Sequence, residues 1–462
     1  MAGQHTGHAA NRPRLSWGVY AMLCAMLRAL PLRAFLMLAV SAGARAGDLD
    51  LDDRDGLNTT TIAKKERDAE WYPEKQLGAE VVRGQNRNFA KPEGLRAGNY
   101  IILPEAGATV TFDDNIFSAD AEKASDIRTD LTPSVQFRSQ LPRHVLDFSL
   151  DGKIVNYLEH TDQDYANVKA RLEGALHFDH AHTLSATVLS SLDHEERNSP
   201  SYPFAARDPV QVWYNKAAIG ITRDVGRLYG TISAAAESWD FADNVSLDGR
   251  PLDLDYRDTQ TYSASLRMGY RISPGYDIVA KVRGLKTLNR GDAASDLDAL
   301  GFEALAGLAF QTNPLLRWRI MGGFGVRDYE RAGQENLTTS LMEAEVEWLP
   351  TQRLTIYGTL TRRLNDVGGP DGSSLLQTGV TVRADYEIYH NLLLNVGASV
   401  REDASQSLGT SELVYAGSIG LEYYLNKNWL FTFTYQHDVR ESESDSRDMH
   451  RNRFMIGAKL RF

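Results

Sequence analysis

The chain has 462 residues, of which 42% are hydrophobic and 9% aromatic, with a formal net charge of -11 and a single cysteine. Beyond residue 46 no apolar stretch approaches the ~18–20 residues of a spanning helix, which excludes a helical membrane protein. The acidic balance argues against a nucleic-acid partner, whose footprint is a basic face. Apolar residues spread along the whole chain argue against disorder.

Arg28 and Arg33 precede the apolar run Ala34–Val40, which "SAGARA" follows. A basic flank, a short apolar core and a small-x-small site read as a secretory signal over residues 1–46, cleaved after Ala46. Cys24 lies inside that leader, so the mature chain carries no thiol and no disulfide framework. Residues 47–98 are dense in charge and lack a clear period, and read as a periplasmic extension or small plug. Asp48, Asp50 and Asp52 open like a calcium loop. However, Asp53 stands where the glycine is needed and Thr59 where the closing acid is needed, so a solvated acidic stretch is the reading.

From Asn99 to Phe462 the texture changes. Segments of ~10–14 residues alternate apolar and polar, the period of half-buried strands. Leu146, Phe148, Leu150 and Ile154 oppose Asp147, Ser149, Asp151 and Lys153. Met342, Ala344, Val346 and Trp348 oppose Glu343, Glu345 and Glu347. Short turn-rich connections such as "ISPGY" and "LNKNW" alternate with longer polar ones such as "HEERNSPSYPFAARDPV". Eight short and nine long connections imply 18 strands. Sorting loops by length onto opposite ends is the habit of outer-membrane barrels, with short turns at the periplasmic end. The fold expected over 99–462 is therefore all-β, an antiparallel up-and-down transmembrane β-barrel integral to the outer membrane, its termini periplasmic. Trp213, Trp318, Trp348 and Trp429 fall near strand ends and are expected to form interfacial girdles.

An 18-strand barrel leaves an aqueous channel. Lys153, Lys281, Arg283, Arg317, Arg319 and Arg383 sit on the non-lipid faces of their strands, where they are expected to line the pore and attract anionic groups. Glu343, Glu345 and Glu347 would oppose that attraction. The glutamate row invites a glycosidase reading, but residues i and i+2 on one strand face have the required spacing by geometry alone, and a pore-lining acidic column balanced by Arg317 and Arg319 on the preceding strand is the simpler explanation. No G-x-S-x-G elbow occurs. His177, His180 and His182 cluster in "HFDHAH", which reads as a solvated turn. No enzyme, cofactor or metal is expected, and no constriction loop with a "PEFGG"-like segment is visible.

The last residues, "MIGAKLRF", place Phe454, Ile456, Ala458, Leu460 and Phe462 on one face. Gly457, Leu460 and Phe462 resemble the C-terminal insertion signal of outer-membrane barrels, which implies the barrel assembly machinery as a partner. Met455 departs from that pattern, standing where a polar residue is usual. Tyr100–Phe117 ("YIILPEAGATVTFDDNIF") resembles the opening of an outer-membrane β-barrel porin family (type 2-like), with Pro104, Asp113, Asp114 and Asn115 carrying the match. That resemblance implies a porin-like conduit for exopolysaccharide or other polar solutes. It also implies outer-membrane lipid, lipopolysaccharide and periplasmic polysaccharide-export components as surroundings. The Asp113–Asn115 run itself reads as an Asx turn. The alternative is a structural or adhesive barrel whose lumen residues 47–98 occlude.

Overall fold

The computed structural model describes residues 81–462, apart from Asn86, Phe204 and residues 291–297, 331–335, 367–373, 406–408 and 444–446. Residues 1–46, read above as a secretory signal, with Cys24, and the Asp48–Asp52 run lie outside the described residues. Eighteen long strands form the wall. They are β1 Tyr100–Asp113, β2 Asp126–Ser139, β3 His144–Tyr157, β4 Tyr165–His177, β5 His182–His194 and β6 Gln211–Val225. Next come β7 Leu228–Phe241, β8 Thr259–Ser273, β9 Tyr276–Asn289, β10 Ala299–Asn313, β11 Leu316–Tyr329 and β12 Leu337–Thr351. The last six are β13 Leu354–Asn365, β14 Leu375–Tyr389, β15 Leu392–Ser405, β16 Thr410–Tyr424, β17 Trp429–Ser442 and β18 Met449–Arg461.

Each strand pairs antiparallel with the next, and β18 returns to β1 from Glu105↔Arg461 to Asp113↔Arg453. Closure matters because lipid offers no partner to an unpaired backbone group. The short turns sit at one end. In Gly226-Arg227 and Pro274-Gly275 the glycines take φ of 61° and 80°, a conformation that side chains resist. Pro274 supplies the fixed φ of the preceding turn position. The longer connections sit at the other end, although 406–409 is no longer than the short turn 140–143 because β15 and β16 absorb its flanks.

Outward residues are large and apolar: Ile320, Phe324, Val380, Val382 and Ile456 are all exposed. Along β11 they alternate with the buried Arg319, Met321 and Arg327. Trp318, Trp348 and Trp429 stand beside short turns, and Trp348 and Trp429 are exposed. One aromatic set departs from the girdle pattern. Tyr214, Trp239 and Phe241 are almost fully buried on the opposite face of their strands, in one cluster with Leu189 and Val212.

Before β1, the three-residue strand Leu95–Ala97 pairs with Tyr100–Ile102. It covers the part of β1 that extends past the end of β18. Pro104 lies at the changeover, where its carbonyl accepts the Phe462 N–H at 3.2 Å. A residue without an N–H suits a place where a strand changes partners.

Candidate functional site

Ion pairs that skip strands identify the inner face. Lys281 on β9 reaches Glu343 on β12 at 2.8 Å, with β10 and β11 between them. Only side chains on the concave side of a closed wall can make that span. The other sequence candidates on this face are paired as well. Arg319 meets Glu345 at 2.8 Å, and Arg317 meets Glu347 directly across β11 and β12. Lys153 stands 3.5 Å from Asp130, Arg283 stands 3.8 Å from Glu303 and Arg383 stands 3.4 Å from Asp385. Sequence reading set Arg317 and Arg319 against the glutamate row as balancing charge on the preceding strand but left Lys153, Lys281, Arg283 and Arg383 as attracting cations, and the register places a carboxylate beside each of them.

Further pairs continue the pattern. Arg327, fully buried, bridges Glu303 and Asp366 at 2.7 Å each. Arg401 meets Asp403 at 2.8 Å, and Arg453 meets Asp438 at 2.8 Å. On the same face of β9–β12, Val279, Leu305, Met321 and Leu341 form a buried apolar cluster. The wall therefore offers donors and acceptors in quantity, with positive and negative charge matched locally.

The long-loop end is narrowed from within. Connection 195–210 folds back onto the inner aromatics, placing Tyr202 and Ala206 against Tyr214, Trp239 and Phe241. Connection 242–258 joins it: Ala206 bridges to Ser246, the Arg207 N–H donates to Val245 O and the Leu247 N–H donates to Ala205 O. The two are pinned by Glu195, whose side chain is fully buried. It accepts both Arg257 Nη groups at 2.9 Å and the hydroxyls of Ser199 and Ser201 at 2.9 and 2.8 Å. Arg257 also lies over the Phe241 ring at 3.9 Å. On the far side of β1–β4, Arg447 donates to Pro200 O at 2.9 Å. The sequence showed no constriction loop because this one uses a buried carboxylate rather than a recognisable motif. At its foot, Asp258 accepts the Phe241 N–H, and burial together with Asp240 and Asp255 pushes its carboxyl up to about 6.

The Asp113-Asp114-Asn115 run does more than turn the chain. Asp113, fully buried, is bound by Arg451 on β18 through Nε at 3.0 Å to each carboxylate oxygen. Asp114 accepts the backbone N–H and the side-chain amide of Asn452 at 2.7 and 2.6 Å. Asn115 donates to His450 O at 3.0 Å. The motif therefore clamps the first strand to the last. On the same seam, a Cβ on Gly457 would lie 2.6 and 2.8 Å from the hydroxyls of Thr432 and Thr109. Leu460 lies at the end of β18 and Phe462 follows the strand, and Asn428 donates to Arg461 O at 2.7 Å.

The histidines of "HFDHAH" are engaged separately: His177 with Thr183 at 2.9 Å, and His182 with Asp179 at 2.9 Å. The His182 hydrogen bond holds the exposed Asp179 carboxyl down at about 2. Among the described residues, Asp243, Asp253 and Asp255 bring exposed carboxylate oxygens within 4.8 Å of one another. Asp243 and Asp253 accept backbone N–H groups of their own connection, which accounts for their positions.

A closed, antiparallel 18-strand wall with an apolar outer face and a charged inner one defines an outer-membrane-type β-barrel channel. The family described as "Putative beta-barrel porin 2" matches residues 88–462, and the chain belongs to that family. Among solved structures, the chain is similar to the outer-membrane protein OpdK from Pseudomonas aeruginosa. Identity is 10% and the TM-score 0.43, over 78% of this chain and 99% of that one. It is similar to OpdO from Pseudomonas aeruginosa at 12% identity and a TM-score of 0.43, over 79% and 98% of the two chains. It is also similar to the siderophore receptor PiuA from Acinetobacter baumannii at 10% identity and a TM-score of 0.43, over 84% and 85%. At these values the three likenesses carry no argument about function. No curated protein matches the chain.

Proposed function

We propose that this porin-like barrel is a passive conduit for exopolysaccharide or other polar solutes, with its short turns and both termini on the periplasmic side. The observation that carries the reading is the local matching of charge on the inner wall: Lys281 with Glu343, Arg319 with Glu345 and Arg317 with Glu347. A wall of this kind draws neither sign of ion strongly and suits a neutral or weakly charged chain rich in hydroxyls. The resemblance carried by Pro104 and Asp113–Asn115 supports a polymer as the cargo. Flux through proteoliposomes tests it. Neutral oligosaccharides should enter no more slowly than uronic-acid oligosaccharides of the same length. Exclusion of the neutral series while small ions pass would overturn the reading.

A second reading, a structural or adhesive barrel with an occluded lumen, is favoured by residues 81–90, which contact the inner wall at the short-turn mouth. Such a barrel is silent in a bilayer, and that separates the two.

A further inference from the structure

The segment ahead of β1 has no periodicity, yet it is closely held. The Val82 N–H donates to Thr355 Oγ1 at 2.9 Å, with both residues buried. Arg83 forks between two strands: its Nε meets Asp385 on β14 at 3.0 Å and its Nη2 meets Glu422 on β16 at 3.1 Å. Arg87 meets Glu387 at 2.6 Å and donates to His390 O at 3.1 Å and Val82 O at 2.7 Å. Farther along, Phe89 packs on His390 and Arg461 donates to Ala90 O. Lys427 then pairs with Glu93 at 2.9 Å.

These contacts are specific for charge. Asp385, Glu387 and Glu422 all lie on the inner wall at the short-turn mouth, and each is nearly buried. Arg83 and Arg87 are two of the three arginines paired with them, the third being Arg383 beside Asp385 at 3.4 Å. With the segment docked, three carboxylates face three guanidinium groups. Without it they would face one guanidinium and the exposed His390 ring, 3.5 Å from Glu387, and the mouth would carry an excess of negative charge.

We propose that residues 81–93 are an intramolecular clasp that sets ion preference at the short-turn mouth: docked, it neutralises the Asp385–Glu387–Glu422 triad; released, it leaves a cation-attracting acidic patch on one side of the mouth. The arginines sit four residues apart, so that one grips β14 and β16 together and the other grips the end of β14. Lifting one leaves the other held, and release therefore needs both to part. The selectivity half of the proposal rests on the channel reading above, whereas the docking half does not.

The test uses the full chain with Cys24→Ser and Thr355→Cys, refolded in detergent micelles and exposed to a charged maleimide. Thr355 is fully buried beneath the Val82 N–H, so its cysteine should label slowly. Arg83→Glu with Arg87→Glu should speed labelling several-fold, and so should Asp385→Asn with Glu387→Gln and Glu422→Gln. Adding Glu387→Arg and Glu422→Arg to the Arg83→Glu/Arg87→Glu variant should restore protection, which a general loosening of the barrel would not. In planar bilayers the Arg83→Glu/Arg87→Glu variant should favour cations over anions several-fold more than the wild type. Equal labelling in all variants would overturn the clasp whatever the currents do. Faster labelling with an unchanged ion preference would overturn the selectivity claim alone. Silence of every variant would overturn the channel reading and the selectivity claim with it.

Discussion

Replacing Asp113 with Ala should destabilise the closed barrel by about 3–5 kcal/mol, the usual cost of leaving one partner of a buried ion pair uncompensated. Asp113 is 0% exposed and Arg451 4%, and the carboxylate takes Arg451 Nε together with the Asn115 N–H. Their position raises the consequence. They sit where β1 meets β18, the pairing that closes the cylinder, and an open edge has no partner in lipid. The measurement is the temperature at which the unheated, compact form is lost on gel electrophoresis. It should fall markedly for Asp113→Ala and recover in large part when Arg451→Met is added, because a buried pair replaced by apolar groups is often neutral. A change of only about 0.5 kcal/mol, the scale of a surface substitution, would show that the seam does not depend on this pair.

The second large effect is expected at Glu195. Removing its carboxylate orphans Arg257, 3% exposed, and leaves the hydroxyls of Ser199 and Ser201 with only each other, 3.2 Å apart. The local cost is again about 3–5 kcal/mol, but it falls on connections 195–210 and 242–258 rather than on the wall. Glu195→Ala should therefore leave the thermal transition of the barrel nearly in place, make residues 195–210 sensitive to protease and enlarge the single-channel current. Glu195→Gln keeps the shape and two acceptor sites and should fall between. An unchanged current in Glu195→Ala, with the loop cleaved, would mean that this connection does not narrow the path.

The wall was legible in the sequence because each strand repeats one alternation and the turns announce themselves with Gly, Pro and Asn. The match of charges was legible only between neighbouring strands, where Arg317 and Arg319 precede the glutamate row. Lys281 and Glu343 are 62 residues apart and meet only because three successive registers bring β9 and β12 to the same height. Tyr214, Trp239 and Phe241 were not singled out as an inner aromatic cluster. Their phase was readable all the same: Trp239 shares its face with Glu237 and Phe241, while Trp213 shares the opposite phase with Asn215. The run "VVRGQNRNFA" carries no period and no motif, so nothing local marks Arg83 and Arg87 as partners of residues some 300 positions later. Asp113–Asn115 was readable as a turn. Its role as a clamp depends on β18, at the other end of the chain.

Single-channel recording in planar bilayers tests the matched-charge channel most directly, with wild type set beside Glu345→Lys. Wild type should conduct in discrete steps with little preference for either ion. Glu345→Lys, which puts a second cation beside Arg319 where a 2.8 Å ion pair stood, should shift that preference toward anions. A wild-type protein that inserts but passes no current would contradict the channel, and an ion preference unmoved by Glu345→Lys would contradict a lumen governed by paired charge.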